Sequence, residues 1–380
     1  MIPLAIPNIG QAEAANLQRC VEENFVSTVG AFVTDFEAKV AKLSGTALGA
    51  ATGSGTQGLH MALRALGVGH GDLVVVPSFT FIASANSISH SGATPWFVDI
   101  SRHDWTLDPE RLSEALRDKT TRTGDGVIHR ATGKRVAAIM PVYTLGTPAD
   151  MDAIGAVARE YGLPVVADAA AAIGVTYKGR PIGQLADLTV YSFNGNKTIT
   201  SGGGGMIVGR EDLVKRARHL TTTARVGRDY DHDEVGFNYR MTNIEAAVGC
   251  AQFDRLDEFL AAKKRIRDAY DTAFAGNNEI SLFPAPSERG TAYWFSGLVF
   301  EGPEPRVVNT LCDRLKELGV EARPFWKPVH RQPPYRDAPA EDLSVTEDLW
   351  SRIITLPCST SLTPEQQATV IAAVRQVLAA

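Results

Sequence analysis

The chain has 380 residues, 44% hydrophobic and 21% charged, a balance found in globular enzymes and incompatible with a disordered or collagen-like chain. Its formal net charge of -5 offers no electrostatic basis for nucleic-acid binding, and no run approaches the roughly 18 to 20 apolar residues of a membrane span. Met1-Ile2-Pro3-Leu4-Ala5 lacks the basic-then-apolar layout of a leader, so a cytoplasmic location is expected. Cys20, Cys250, Cys312 and Cys358 are scattered and the eight histidines show no ligand spacing, so neither a disulfide framework nor a metal is expected.

In chain order, Gly45 to Gly209 alternates short apolar runs with amphipathic stretches, the pattern of βαβ units around a mostly parallel sheet. Thr52-Gly53-Ser54-Gly55-Thr56-Gln57-Gly58 comes first, directly before an amphipathic helix through Leu59, Leu63 and Leu66. Free N–H groups at such a helix start hold phosphate well. The run also matches GxGxxG through Gly53, Gly55 and Gly58, but a dinucleotide site wants an acid at the end of the second strand, and Asp72 precedes its strand. Strands are predicted at Leu73 to Val76, Thr94 to Val98, Val136 to Met140, Pro164 to Ala167, Leu188 to Ser192 and Met206 to Val208, with a helix over Met151 to Tyr161. The polar segment Thr121 to Arg135 reads as a surface excursion. A long helical stretch from Thr242 to Ala273 leads to mixed elements, notably Thr291 to Phe300, Arg306 to Leu318 and Pro364 to Leu378. The division expected is a large α/β domain over 1–245, and linking helices with a smaller α/β domain over 246–380.

Two further signals carry chemistry. Val165-Val166-Ala167-Asp168 puts a carboxylate where a parallel strand ends, either at a ligand or as a helix cap. Lys197 lies in Tyr191-Ser192-Phe193-Asn194-Gly195-Asn196-Lys197-Thr198-Ile199-Thr200-Ser201, followed by four glycines that tolerate close approach of a ligand. A partly desolvated lysine there can form a Schiff base. Pyridoxal phosphate unites the three signals, since it needs an anchoring lysine, an acid for its ring nitrogen and a phosphate cradle. An aromatic ring to stack on the cofactor is available at Phe81, while Phe79 reads as core.

These blocks resemble the nucleotide-sugar aminotransferases, the DegT-type branch of the fold-type I pyridoxal phosphate enzymes. The resemblance rests on GSGT at Gly53 to Thr56, PSFTF at Pro77 to Phe81, GATPWFVDI at Gly92 to Ile100, DAAAAIG at Asp168 to Gly174, YSFNGNKTITSGGGGM at Tyr191 to Met206, and GFNYRMTNIEAAVG at Gly236 to Gly249. It implies that Lys197 holds the cofactor and shuttles protons, that Asp168 pairs with the ring nitrogen, and that Phe81 stacks on the ring. It further implies that Gly55, Thr56 and Ser192 bind the phosphate, and that Asn238 reaches the phosphate of a neighbouring subunit in a homodimer. Relatives that dehydrate their sugar carry His in place of Lys197, so amino transfer is the expected activity. Many relatives carry Gln or His where this chain has Ala171, so that contact to the cofactor is missing.

For the substrate, Arg225 and Arg228 are candidates for the diphosphate of a nucleotide sugar, with solvated loop arginines as the bland alternative. Arg323 to His330 resembles the segment lining the cleft in enzymes acting on UDP-linked N-acetylated 4-keto-6-deoxy sugars, with Lys327 and His330 as the first choices. The expected reaction is conversion of such a sugar to the 4-amino-4,6-dideoxy sugar with L-glutamate as donor. The alternatives are a GDP-4-keto-6-deoxymannose 4-aminotransferase, or perosamine synthase, suggested by YKGRPIG and GNKTIT; a nicotinamide-dependent dehydrogenase; and a non-catalytic cofactor-binding regulator.

Overall fold

The computed structural model describes residues 1–301 and 307–379. Three parallel strands, Leu73–Pro77, Thr94–Val98 and Arg135–Ile139, start the central sheet, with Leu73 opposite Thr94 and Val136. Val166–Asp168 joins them through the parallel bridges Ile139 to Val165 and Val142 to Asp168, and Leu188–Ser192 pairs in parallel on its far side. Gly205–Gly209 runs antiparallel between Leu188–Ser192 and the edge strand Gly49–Thr52. Near-continuous apolar sequence in these strands follows from helices covering both faces, and Leu73 to Pro77 are all buried.

The predicted strands and the Met151–Tyr161 helix are present, with Asp150 accepting from the Ala153 N–H and Gly162 ending the helix in the left-handed conformation. Two segments differ from expectation. Thr121 to Arg135 is largely a hairpin, Thr120–Thr123 against Gly126–His129, which extends the sheet along Arg135 and Val136. Val127 and His129 are buried while their neighbours face outward, a two-residue alternation too short to stand out among glycines and charges. The stretch from Thr242 to Ala273 is two helices, Asn243–Phe253 and Leu256–Phe274, broken at Asp254 and Arg255.

The break lets the two helices serve different layers. Asn243–Phe253 packs on the Gln11–Glu22 and Ala31–Leu43 helices, and Phe36 fills the space where Gly249 has no side chain. The division expected at 245/246 falls inside this helix. Leu256–Phe274 instead meets an antiparallel sheet of Ile280–Leu282, Ser296–Phe300, Ile353–Leu356 and Arg323–Pro324, with the Val307–Glu317 and Pro364–Leu378 helices close by. Arg306, expected to open the first of these, lies outside the described residues. The N-terminal arm is tied to the same sheet: Ile2 bridges Val320, and the Cys358 N–H donates to the Leu4 carbonyl at 2.8 Å.

Candidate active site

The C-terminal ends of the parallel strands meet at one edge of the central sheet, where α/β folds place ligands. A cleft of about 800 Å³ opens there, roofed by the N-terminal arm and the C-terminal segment 321–326. It brings together Gly55, Thr56, Phe81, Asp168, Ser192 and Lys197, six residues separated by up to 142 positions in the chain.

Gly55 opens the Gly55–Ala65 helix, with the Ser54 hydroxyl accepting from the Gln57 N–H at 3.2 Å. The first N–H groups of a helix have no acceptor within it, so this end presents donors and a positive dipole to the cleft. The strand carrying Ser192 passes so close that a methyl on Gly55 would lie 2.8 Å from the Ser192 Cβ. Glycine is therefore the residue that lets the Ser192 hydroxyl and the helix start share one small space.

Asp168 ends its strand in full burial. Its carboxylate accepts from the Ser84 hydroxyl at 2.7 Å and from the Ala170 N–H at 3.1 Å, and Ser84 is in turn in contact with the Thr80 hydroxyl at 2.9 Å. Burial nevertheless pushes its pKa up, opposed by these hydrogen bonds and by the charge of Lys197. An anion in that position is incompletely neutralised by the protein.

Lys197 is carried by the turn after Leu188–Ser192. Its N–H donates to the Asn194 carbonyl at 2.9 Å, while Gly202 and Gly204 take positive φ of 84° and 96° to fold the glycine run back toward Gly53. Desolvation lowers the amine pKa from 10.5 to about 7, and Asp168 partly opposes the shift. The Nζ atom lies 3.4 Å from the centroid of the Trp294 ring, whose indole N–H donates to the Asn196 carbonyl at 2.7 Å. Phe81, 56% exposed, stands at the cleft mouth near Trp326, whereas Phe79 is core and stacks on Phe325.

The other expected site residues are elsewhere. Asn238 is exposed and does not line this cleft. Arg225 and Arg228 are exposed on the same surface excursion, Arg225 donating to the Arg228 carbonyl at 2.7 Å and covering Tyr230. Lys327 and His330 do not line this cleft, whose wall is made by Arg323, Pro324, Phe325 and Trp326 of the same block, after which the chain turns away. Both His330 ring nitrogens are engaged, Nδ1 with the Ser78 hydroxyl at 2.6 Å and Nε2 with Glu347 at 2.5 Å. Asp72, the acid weighed for a dinucleotide, pairs with Arg135 at 2.8 Å and accepts from the Gly69 N–H at 2.9 Å.

Sequence reasoning missed Ser84 and Trp294, whereas Arg323 and Trp326 lie in the block it expected to line the cleft. Ser84 follows the PSFTF block by three residues, a signal available in hindsight; Trp294 belongs to no motif. Among the described residues His219, Asp233 and Glu234 have metal-ligand proximity, but His219 pairs with Asp233 at 2.7 Å and Glu234 with Arg216, and none lines the cleft.

A family profile described as the DegT/DnrJ/EryC1/StrS aminotransferase family matches residues 7–375. The chain is 38% identical to a GDP-perosamine synthase of Caulobacter vibrioides, over 99% of this chain and 98% of that protein. It is 35% identical to a GDP-perosamine synthase of Escherichia coli O157:H7, over 96% and 95%. Among solved structures, the PLP form of the sugar aminotransferase Spr1654 of Streptococcus pneumoniae superimposes with a TM-score of 0.89 at 26% identity, covering 99% of this chain and 98% of that one.

Proposed function

Because the chain belongs to the pyridoxal phosphate-dependent DegT/DnrJ/EryC1/StrS aminotransferase family, we propose that it aminates C4 of a GDP-linked 4-keto-6-deoxyhexose. The observation that carries the choice of nucleotide is the near full-length similarity to two GDP-perosamine synthases. The UDP-linked reading, which rested on the resemblance of Arg323 to His330 to a cleft-lining segment, gives way to the GDP-linked one that these relatives support.

The residues present fit the cofactor. The cradle of Gly55, Thr56 and Ser192 suits a phosphate, and the under-neutralised Asp168 suits a protonated ring nitrogen. Pyridoxal phosphate supplies the carbonyl that receives the amino group and a ring that withdraws electrons. Lys197, titrating at about 7, exists in both protonation states near neutrality, so one amine can take a proton from one carbon and return it to another. Asp168 would hold a proton on the ring nitrogen, with Ser84 keeping the carboxylate oriented. Phe81 would stack on the ring at the cleft mouth, and the aromatic wall of Phe325 and Trp326 would limit water beside it.

L-Glutamate is the donor in this reading, and Arg323 is the guanidinium among the lining residues that its carboxylate would meet. Asn238 completes the phosphate site of a second copy. A homodimer is part of this reading, since Asn238 lies outside the cleft of its own chain. The test is incubation with L-glutamate and a panel of GDP-, UDP- and dTDP-linked 4-keto-6-deoxyhexoses, with products identified by mass and NMR. Amination of the GDP-linked sugar alone, lost in Lys197→Ala, is the expected result. Turnover of only a UDP- or dTDP-linked sugar refutes the assignment.

A further inference from the structure

Trp294 is fixed at every polar atom it has. Its backbone N–H donates to the Leu145 carbonyl at 3.1 Å and its indole N–H to the Asn196 carbonyl at 2.7 Å. Its own carbonyl accepts from the Lys263 ammonium at 2.8 Å. Only 4% of the residue is accessible, and its ring face is the surface on which the Lys197 amine rests.

Lys263 comes from the Leu256–Phe274 helix and is 2% accessible. It also donates to the Cys358 carbonyl at 2.6 Å, and no carboxylate is among its partners within the described residues. A buried cation held by two carbonyls and the Cys358 sulfur, with no carboxylate, is a poor choice for packing, because an apolar side chain of similar size is often as stable or more so. Such a cation makes sense where carbonyl positions must be held. A small hollow behind the cleft is bordered by Asn196, Lys197, Thr198 and Lys263 together, so the two lysines flank the same turn.

We infer that Trp294 is a positioning residue for Lys197 and that Lys263 acts through it. The indole holds the reactive amine from below and the Asn196 carbonyl from the side, so the lysine-bearing turn and the platform under its amine move as one piece. Lys263 locks that platform to the C-terminal sheet through Trp294 and Cys358. The inference rests on Lys197 being the cofactor-bearing lysine.

The test compares two binding events on apoprotein. Covalent capture of pyridoxal phosphate, followed by visible absorbance and mapped by borohydride reduction and peptide analysis, needs a correctly placed Lys197. Binding of pyridoxamine phosphate, measured by calorimetry, needs the same cradle but no lysine bond. Lys263→Met and Trp294→Leu are expected to slow capture about tenfold, as loss of a hydrogen bond and a ring–amine contact implies, with pyridoxamine phosphate affinity unchanged in Lys263→Met, whose side chain does not line the cleft. Trp294→Phe keeps a ring face without the Asn196 bond and falls between them and the unaltered protein. Unchanged capture in both Lys263→Met and Trp294→Leu overturns the inference, as does a parallel loss of pyridoxamine phosphate affinity in Lys263→Met. If the unaltered protein captures the aldehyde on a different lysine, the reading of Lys197 falls and this inference with it.

Discussion

The pH dependence of cofactor capture follows from the surroundings of one amine. Desolvation brings Lys197 from 10.5 to about 7, so at pH 8 about 90% of it is neutral, against about 0.3% for an ordinary lysine, roughly a 300-fold larger nucleophilic fraction. The amine loses its proton as pH rises through about 7, so the rate at which apoprotein captures pyridoxal phosphate should climb with a midpoint near 7 and level off above about pH 8. Stopped-flow absorbance from pH 6 to 10 reads this directly. Asp168 is the charge that favours the protonated amine, so Asp168→Asn should move the midpoint to lower pH even though the variant captures less cofactor overall. A rate that keeps rising to pH 10, or a midpoint that moves up in Asp168→Asn, refutes the argument that burial sets the reactivity of Lys197.

Two other changes separate cradle from scaffold. Gly55→Ala places a methyl 2.8 Å from the Ser192 Cβ, an overpacking worth about 1–3 kcal/mol, and should release the cofactor on dialysis while the far-UV circular dichroism stays unchanged. His330→Gln breaks the link between Ser78, which is fully buried, and Glu347, so the unfolding free energy in urea should drop by about 1–3 kcal/mol with KM for the nucleotide sugar unchanged. A raised KM with intact stability would return His330 to the substrate.

The contrast between His330 and Arg323 shows where sequence reading stops. Both stand in one eight-residue block, and the block resembles a cleft-lining segment as a whole. Which of its side chains face the cleft depends on the turn at Val329–Arg331 and on Ser78 and Glu347 capturing the histidine, partners 252 and 17 residues away. The Thr121 to Arg135 hairpin shows the same limit: four-residue strands carry too few alternations to outweigh the turn-forming residues around them.

What could be read in advance was local chemistry with a fixed backbone context: a glycine-flanked lysine after a strand, a carboxylate at a strand end, and a helix start with free N–H groups. Each of those requirements is met by neighbours in the chain, so order and spacing report it. The folded chain alone decided that Ser84 braces Asp168, that Trp294 carries the Lys197 amine, and that Lys263 anchors Trp294. Those contacts join residues 84, 97 and 31 positions apart, and burial, which sets the pKa of Lys197, exists only once the separate layers close around it.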